Sequence, residues 1–196
     1  MNEIKTRALE EIAAELSQLV EELKIAGRND LLLRAIGVPL LEDLRIEAAR
    51  RSLSRLLITK DYRFILVDDG NRKVELTPVH KAVYLLFLNH PEGIEFKQLR
   101  DFHEELMDYY MAVTRNMDKQ AIEESVGMLI NPLNNSINEK CSRIKKTFLS
   151  MMDPYRANYY IVSSHTQKHV AGSSKIWYER LKVITLPREL VIRECQ

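Results

Sequence analysis

The stretch TPVHKAVYLLFLNHP, residues 77–91, constrains the fold of this chain more than any other. Thr77 is a residue type that caps helices, and Pro78 suits the first helical position, where its missing N–H costs nothing. From Ala82 to Leu88 every residue is apolar or aromatic, so a helix here has no face to leave in water. The run is far too short to cross a bilayer. It predicts a central buried helix, which the rest of the chain has to cover.

Candidate covers lie on both sides. YRFILV (62–67) and RKVEL (72–76) alternate as strands do, and DDGN (68–71) between them is a turn signal, so a hairpin leads into the helix. After it, helices are expected over 96–115, with Leu99, Phe102, Leu106 and Tyr109/Tyr110 on one face, and over 118–130, with Ile122, Val126 and Leu129. A further helix fits 136–152. NYYIVS (158–163) and KIWYERLKVITL (175–186) read as strands joined by the polar tip HTQKHVAGSS. The expected class is mainly α with small β-hairpins (α+β), an N-terminal helical segment over 1–60 preceding a domain over 61–196.

Within 1–60, Leu9, Ile12, Leu16, Leu19 and Leu23 recur at spacings of three and four, a seam like that of a coiled coil. Two partners fit it: the chain's own next helix around 41–58 (Leu44, Ile46, Ala49, Leu53, Leu56), or a second copy in a homodimer. Gly27 and Gly37-Val38-Pro39 mark the breaks between these helices.

The net charge of +1 conceals a segregation. Residues 61–133 hold 8 Lys/Arg against 13 Asp/Glu, whereas 134–196 hold 11 against 5. A basic last third points towards a polyanionic partner; the bland reading is that the acidic middle folds over it. The N-terminus has no hydrophobic leader segment, no run is long enough for a membrane span, and the two cysteines, Cys141 and Cys195, suggest no disulfide framework. A cytoplasmic protein without membrane partners is expected.

The basic region centres on SINEKCSRIKKTFLSMM. On a helical wheel Ile137, Cys141, Ile144, Phe148 and Met151/Met152 form an apolar stripe. Lys146 lies opposite, Ser142 and Arg143 beside it, and Asn138, Lys140 and Lys145 on the flanks. Ser136 and Glu139 stand as a capping box. A helix that buries one stripe and offers a basic opposite face suits the DNA major groove. Asn138, Ser142 and Arg143 suit base edges; Lys140, Lys145 and Lys146 suit phosphates. Lys168 and Lys175, at the tip of the following hairpin, extend the basic surface.

The run VELTPVHKAVYLLFLNHPEGIEFKQL resembles the start of the winged-helix effector domain of bacterial response regulators, the OmpR-like class. There a strand leads into a Leu-Thr-x-x-Glu helix opening; here Leu76-Thr77-Pro78-Val79-His80 places His80 at the acidic position. SINEKCSRIKKTFL stands where that class has its recognition helix, and NYYIVS…KVITLP where it has its wing. The resemblance covers about 62–187. It implies sequence-specific binding of double-stranded DNA and transcription regulation through the 136–152 helix, with the 158–186 hairpin assisting. The class's Gly-x-Gly-Tyr wing ending is absent, 96–133 is longer than the class requires, and 1–60 is too short and too helical for a receiver domain.

Enzyme chemistry finds little footing. Of five histidines only His165-x3-His169 has metal-compatible spacing, without a CxxC partner. Cys141 falls on an apolar stripe. Asp101, Glu104, Glu105 and Asp108 sit at helical spacings typical of a solvated face, and no Gly-rich phosphate loop appears, so no cofactor and no catalytic residues are expected. Tyr159, Tyr160, Trp177 and Tyr178 are placed either to stack on bases or to pack the wing. The alternative function is a protein-interaction module on the same fold, without DNA binding; exposure of Arg143, Lys145 and Lys146 separates the two.

Overall fold

A computed structural model describes residues 9–36, 38–114, 118–131, 133–171 and 175–194. The chain divides between Arg51 and Ser52 into two units. Its class is mainly α with small β elements.

The first unit contains α1 (Leu9–Ile25), α2 (Asn29–Ile36) and α3 (Val38–Arg51). On α1, Ile12, Leu16 and Leu19 are 45%, 59% and 52% exposed, and on α3 Leu44 and Ile46 are exposed as well, so the two stripes do not cover each other. Leu23 is half-buried, while the side chain of Leu9 lies outside the described residues. The helix expected over 41–58 stops at Arg51. Leu56–Ile58 instead forms strand β1, because its backbone partners lie elsewhere in the chain: β2 (Phe64–Leu66) antiparallel on one side and β7 (Val191–Arg193) parallel on the other. Ser54 and Arg55 fix the entry to that strand. The Ser54 hydroxyl accepts from the Asp68 amide at 2.9 Å, and the Arg55 amide donates to the Asp68 carboxylate at 2.8 Å.

The second unit is built round α4 (Pro78–Asn89), in which Ala82 to Leu88 are all buried. Thr77 holds the N-cap position and Pro78 the first helical one, as the sequence predicts. The hairpin leading into it joins β2 to β3 (Arg72–Val74), with Gly70 and Asn71 at positive φ in the turn. The resulting sheet runs β3-β2-β1-β7. A second sheet, β4-β6-β5, is assembled from β4 (Ile94–Glu95), β5 (Ser163–Ala171) and β6 (Lys175–Val183). Gly93 makes its junction with β6: φ is +86°, and a Cβ there would stand 3.0 Å from Leu181 Cβ and 3.3 Å from the Lys182 carbonyl.

The helix expected over 96–115 begins as a 3₁₀ segment, Phe96–Phe102, and becomes α5 at His103–Val113. There follow α6 (Lys119–Ile130), α7 (Ser136–Leu149) and α8 (Pro154–Tyr160). The last of these corrects the expected strand at 158–163. Asp153 caps α8 through Oδ1, accepting from the amides of Tyr155 at 3.0 Å and Arg156 at 3.1 Å, with Pro154 in the first turn. Two adjacent tyrosines look strand-like in isolation, yet an Asp-Pro start fixes the helix. The hairpin consequently begins at Ser163, and residues 165–171, expected as its tip, pair in register with 175–181.

Aromatic rings tie the layers together. Tyr84 of α4 meets Phe64 of β2 edge-on at 5.5 Å and Phe148 of α7 at 5.5 Å, and Phe148 in turn stacks on Tyr160 of α8 at 5.5 Å. The Tyr160 hydroxyl donates to the Ser54 carbonyl at 2.6 Å. So α7 is held through Phe148 by both α4 and α8, which fixes the face it turns to solvent.

Candidate nucleic-acid interface

The stripe on α7 is buried as its spacing requires: Ile137, Cys141, Ile144 and Phe148 all lie in the core. Burial pushes the Cys141 thiol up to about 12, which keeps it a neutral packing group. The start of the helix differs from expectation. Ser136 lies inside the helix rather than at its cap, and the Ser136–Glu139 box does not form. Asparagines take over the turn: Asn135 occupies the cap position and accepts from the Glu139 amide at 3.1 Å, while Asn134 Oδ1 accepts from the Ser136 amide at 3.2 Å.

Opposite the stripe, Ser142, Arg143, Lys145 and Lys146 are exposed, and Asn138 and Lys140 are half-buried. Among the described residues, Lys140, Arg143, Lys145 and Lys146 make no ion pair, and the last three are open to solvent. Asn138 has one amide N–H committed to Asn135 Oδ1 at 3.0 Å. Lys168 and Lys175 fall on β5 and β6, opposite Tyr178 and Ala171 respectively, and their side chains lie outside the described residues. So do those of His169 and Trp177, whereas Tyr160 is core, Tyr159 half-buried and Tyr178 exposed.

A groove of about 420 Å³ runs between α7 and the start of α4. Arg143, Lys146, Thr147 and Ser150 form one wall; Glu75, Leu76, Thr77 and His80 form the other. His80 is 9% exposed. Its Nδ1 shares a 2.5 Å hydrogen bond with the Thr77 hydroxyl, and its Nε2 is buried without a partner. Burial, reinforced by the positive charges of Lys140 and Arg143, holds the ring below the ordinary histidine value. The positive field of α7 therefore extends across the groove. Only the packing of α4 on α7 brings Thr77 and His80 to the basic face, whereas Thr147 lies on α7 and Ser150 at its C-cap.

A second, larger cavity of about 550 Å³ lies among Ile58, Tyr62, Leu85, Asn89, Tyr109 and Arg193. Beside it His90 is clasped between Glu92 at 2.6 Å and Glu105 at 2.9 Å, and the Tyr109 hydroxyl donates to Glu105 at 2.7 Å. No group of His, Cys, Asp and Glu among the described residues is arranged to hold a metal ion. No helix among them is long and apolar enough to cross a membrane. Comparison with known protein families, curated proteins and solved structures finds no match.

Proposed function

We propose that this chain is a cytoplasmic DNA-binding transcription regulator of winged-helix type, with α7 as the recognition helix and the β5–β6 hairpin as the wing. The observation that carries this reading is the exposed face of α7. Ser142, Arg143, Lys145 and Lys146 are exposed, the three cations without an ion pair among the described residues, on a helix whose opposite stripe is buried. Fourteen residues give a rod of about 21 Å, long enough to lie in a major groove about 12 Å wide. Arg143 has the planar fork that pairs with guanine, Ser142 can donate or accept at any base, and Lys145 and Lys146 meet phosphates as flexible point charges. The wing proposed for 158–186 becomes the hairpin 163–183, and its sheet order β4-β6-β5 supports the same reading by anchoring the hairpin to the strand that follows α4. Binding of the full chain to a labelled generic duplex over a salt series tests this. The expected result is affinity that falls steeply, with a log–log slope of about −0.9 for each phosphate met; no binding at low salt by a folded protein would overturn it.

The open seam on α1 favours a protein partner as well, and the partner that fits is a second copy. Ile12, Leu16 and Leu19 are half-exposed with no cover from α3, as two such stripes are before they pair. Light scattering of the wild type should report a dimer, and Leu16→Glu should shift it to monomer. A monomeric wild type at tens of micromolar would remove the dimer and leave the DNA reading untouched.

A further inference from the structure

We propose that the groove between α7 and the start of α4 is a seat for a phosphate group. This deepens the reading of α7 as a DNA-facing helix and rests on it for the source of that phosphate, the duplex backbone.

Three independent features converge on an anion. First, Arg143 and Lys146 flank the groove without an ion pair among the described residues, and the one carboxylate on its rim, Glu75, is held by Lys73 at 2.8 Å. Second, α4 is a twelve-residue helix whose cap residue gives its first turn no side-chain hydrogen bond. The Thr77 hydroxyl turns to the His80 ring instead, and the first-turn amides of a helix have no partner within it, with the positive end of the helix dipole behind them. Third, His80 lines the same groove, is more than nine-tenths buried, and carries an Nε2 with no partner. A buried polar atom left unmatched costs free energy that a ligand can recover. A helix lying in a major groove has phosphate chains along both walls, so an element packed beside it at its edge meets the backbone.

The His80 ring reports occupancy. In the free protein its neighbours are Lys140, Arg143 and Lys146 from α7 and Glu75 from the β3 side, with cations predominating. A phosphate among them should raise the His80 pKa and shift its ring signals. The experiment is an NMR titration of the full chain with a generic duplex and, separately, with inorganic phosphate, each repeated on Lys146→Gln and Lys145→Gln. The expected result is a rise of the His80 pKa on adding duplex. Lys146→Gln should abolish that response and flatten the salt slope by about 0.9, whereas Lys145→Gln, outside the groove, should flatten the slope but keep the His80 response. Duplex binding with an unmoved His80 overturns the seat while leaving α7 as a DNA reader. If duplex fails to bind but inorganic phosphate moves His80, the seat stands with a free phosphate as its source, and the DNA reading falls. No response to either ligand overturns the proposal.

Discussion

His80 and His90 lie at opposite ends of α4 and are driven in opposite directions. Burial and the cations of α7 lower His80. At His90 burial also acts downwards, but the hydrogen bonds its ring N–H groups donate to Glu105 and Glu92 outweigh it and the ring ends above its ordinary value of 6.5. The raised His90 contributes stability that is full below pH 6.5 and fades as pH rises through its folded pKa. The depressed His80 contributes stability that is present above pH 6.5 and fades as pH falls through its own. NMR titration of the free protein should therefore find one ring titrating above 6.5 and one below, and His90→Gln should flatten the alkaline side of the stability profile alone. Two rings titrating together would contradict this electrostatic description. The glycines make a second residue-scale comparison. Gly70 and Gly93 both have positive φ, but a Cβ on Gly70 meets open space while one on Gly93 strikes Leu181. Gly93→Ala should cost about 1–3 kcal/mol, more than Gly70→Ala, as read from urea midpoints. Equal costs would mean the β4–β6 junction has room to relax.

At the scale of elements, legibility in the sequence tracked how local the deciding forces are. The buried helix α4 was readable because capping residues and an unbroken apolar run act within fifteen residues. The stripe of α7 was readable from its period, and its exposed basic face follows from that stripe. β1 was not, since Leu53 and Leu56 continue a helical spacing and only pairing with β2 and the distant β7 makes 56–58 a strand. At the start of α7 a Ser-x-x-Glu pattern competes with two preceding asparagines, and the asparagines, one residue earlier, supply the turn. α8 carries a local signal of its own: Asp153-Pro154 is a helix start, and it prevails over the strand propensity of Tyr159-Tyr160. The candidate site divides in the same way. Its α7 wall, with Arg143 and Lys146, was visible as a periodic face. The α4 wall, with Thr77 and His80, is a product of tertiary packing.

Over the whole molecule, the segregated charge has a structural counterpart. Of the thirteen acidic residues of 61–133, five lie on α5 and α6 and a sixth, Glu92, in the clasp about His90, while Arg143, Lys145 and Lys146 stand exposed on α7. A chain of almost zero net charge can thus present a local positive surface, which governs encounter with a polyanion even when the total does not. The first unit adds an exposed apolar seam on α1. The proposal for α7 requires that this helix, and not another lysine-bearing one, meet the nucleic acid. Its most direct test is the salt dependence of duplex binding for Lys145→Glu/Lys146→Glu beside Lys119→Glu on the exposed start of α6. The double reversal should flatten the log–log slope by about 2 and weaken binding at least tenfold at low salt, with Lys119→Glu close to wild type. A double variant that keeps the wild-type slope and affinity would contradict the assignment of α7 as the DNA-reading helix.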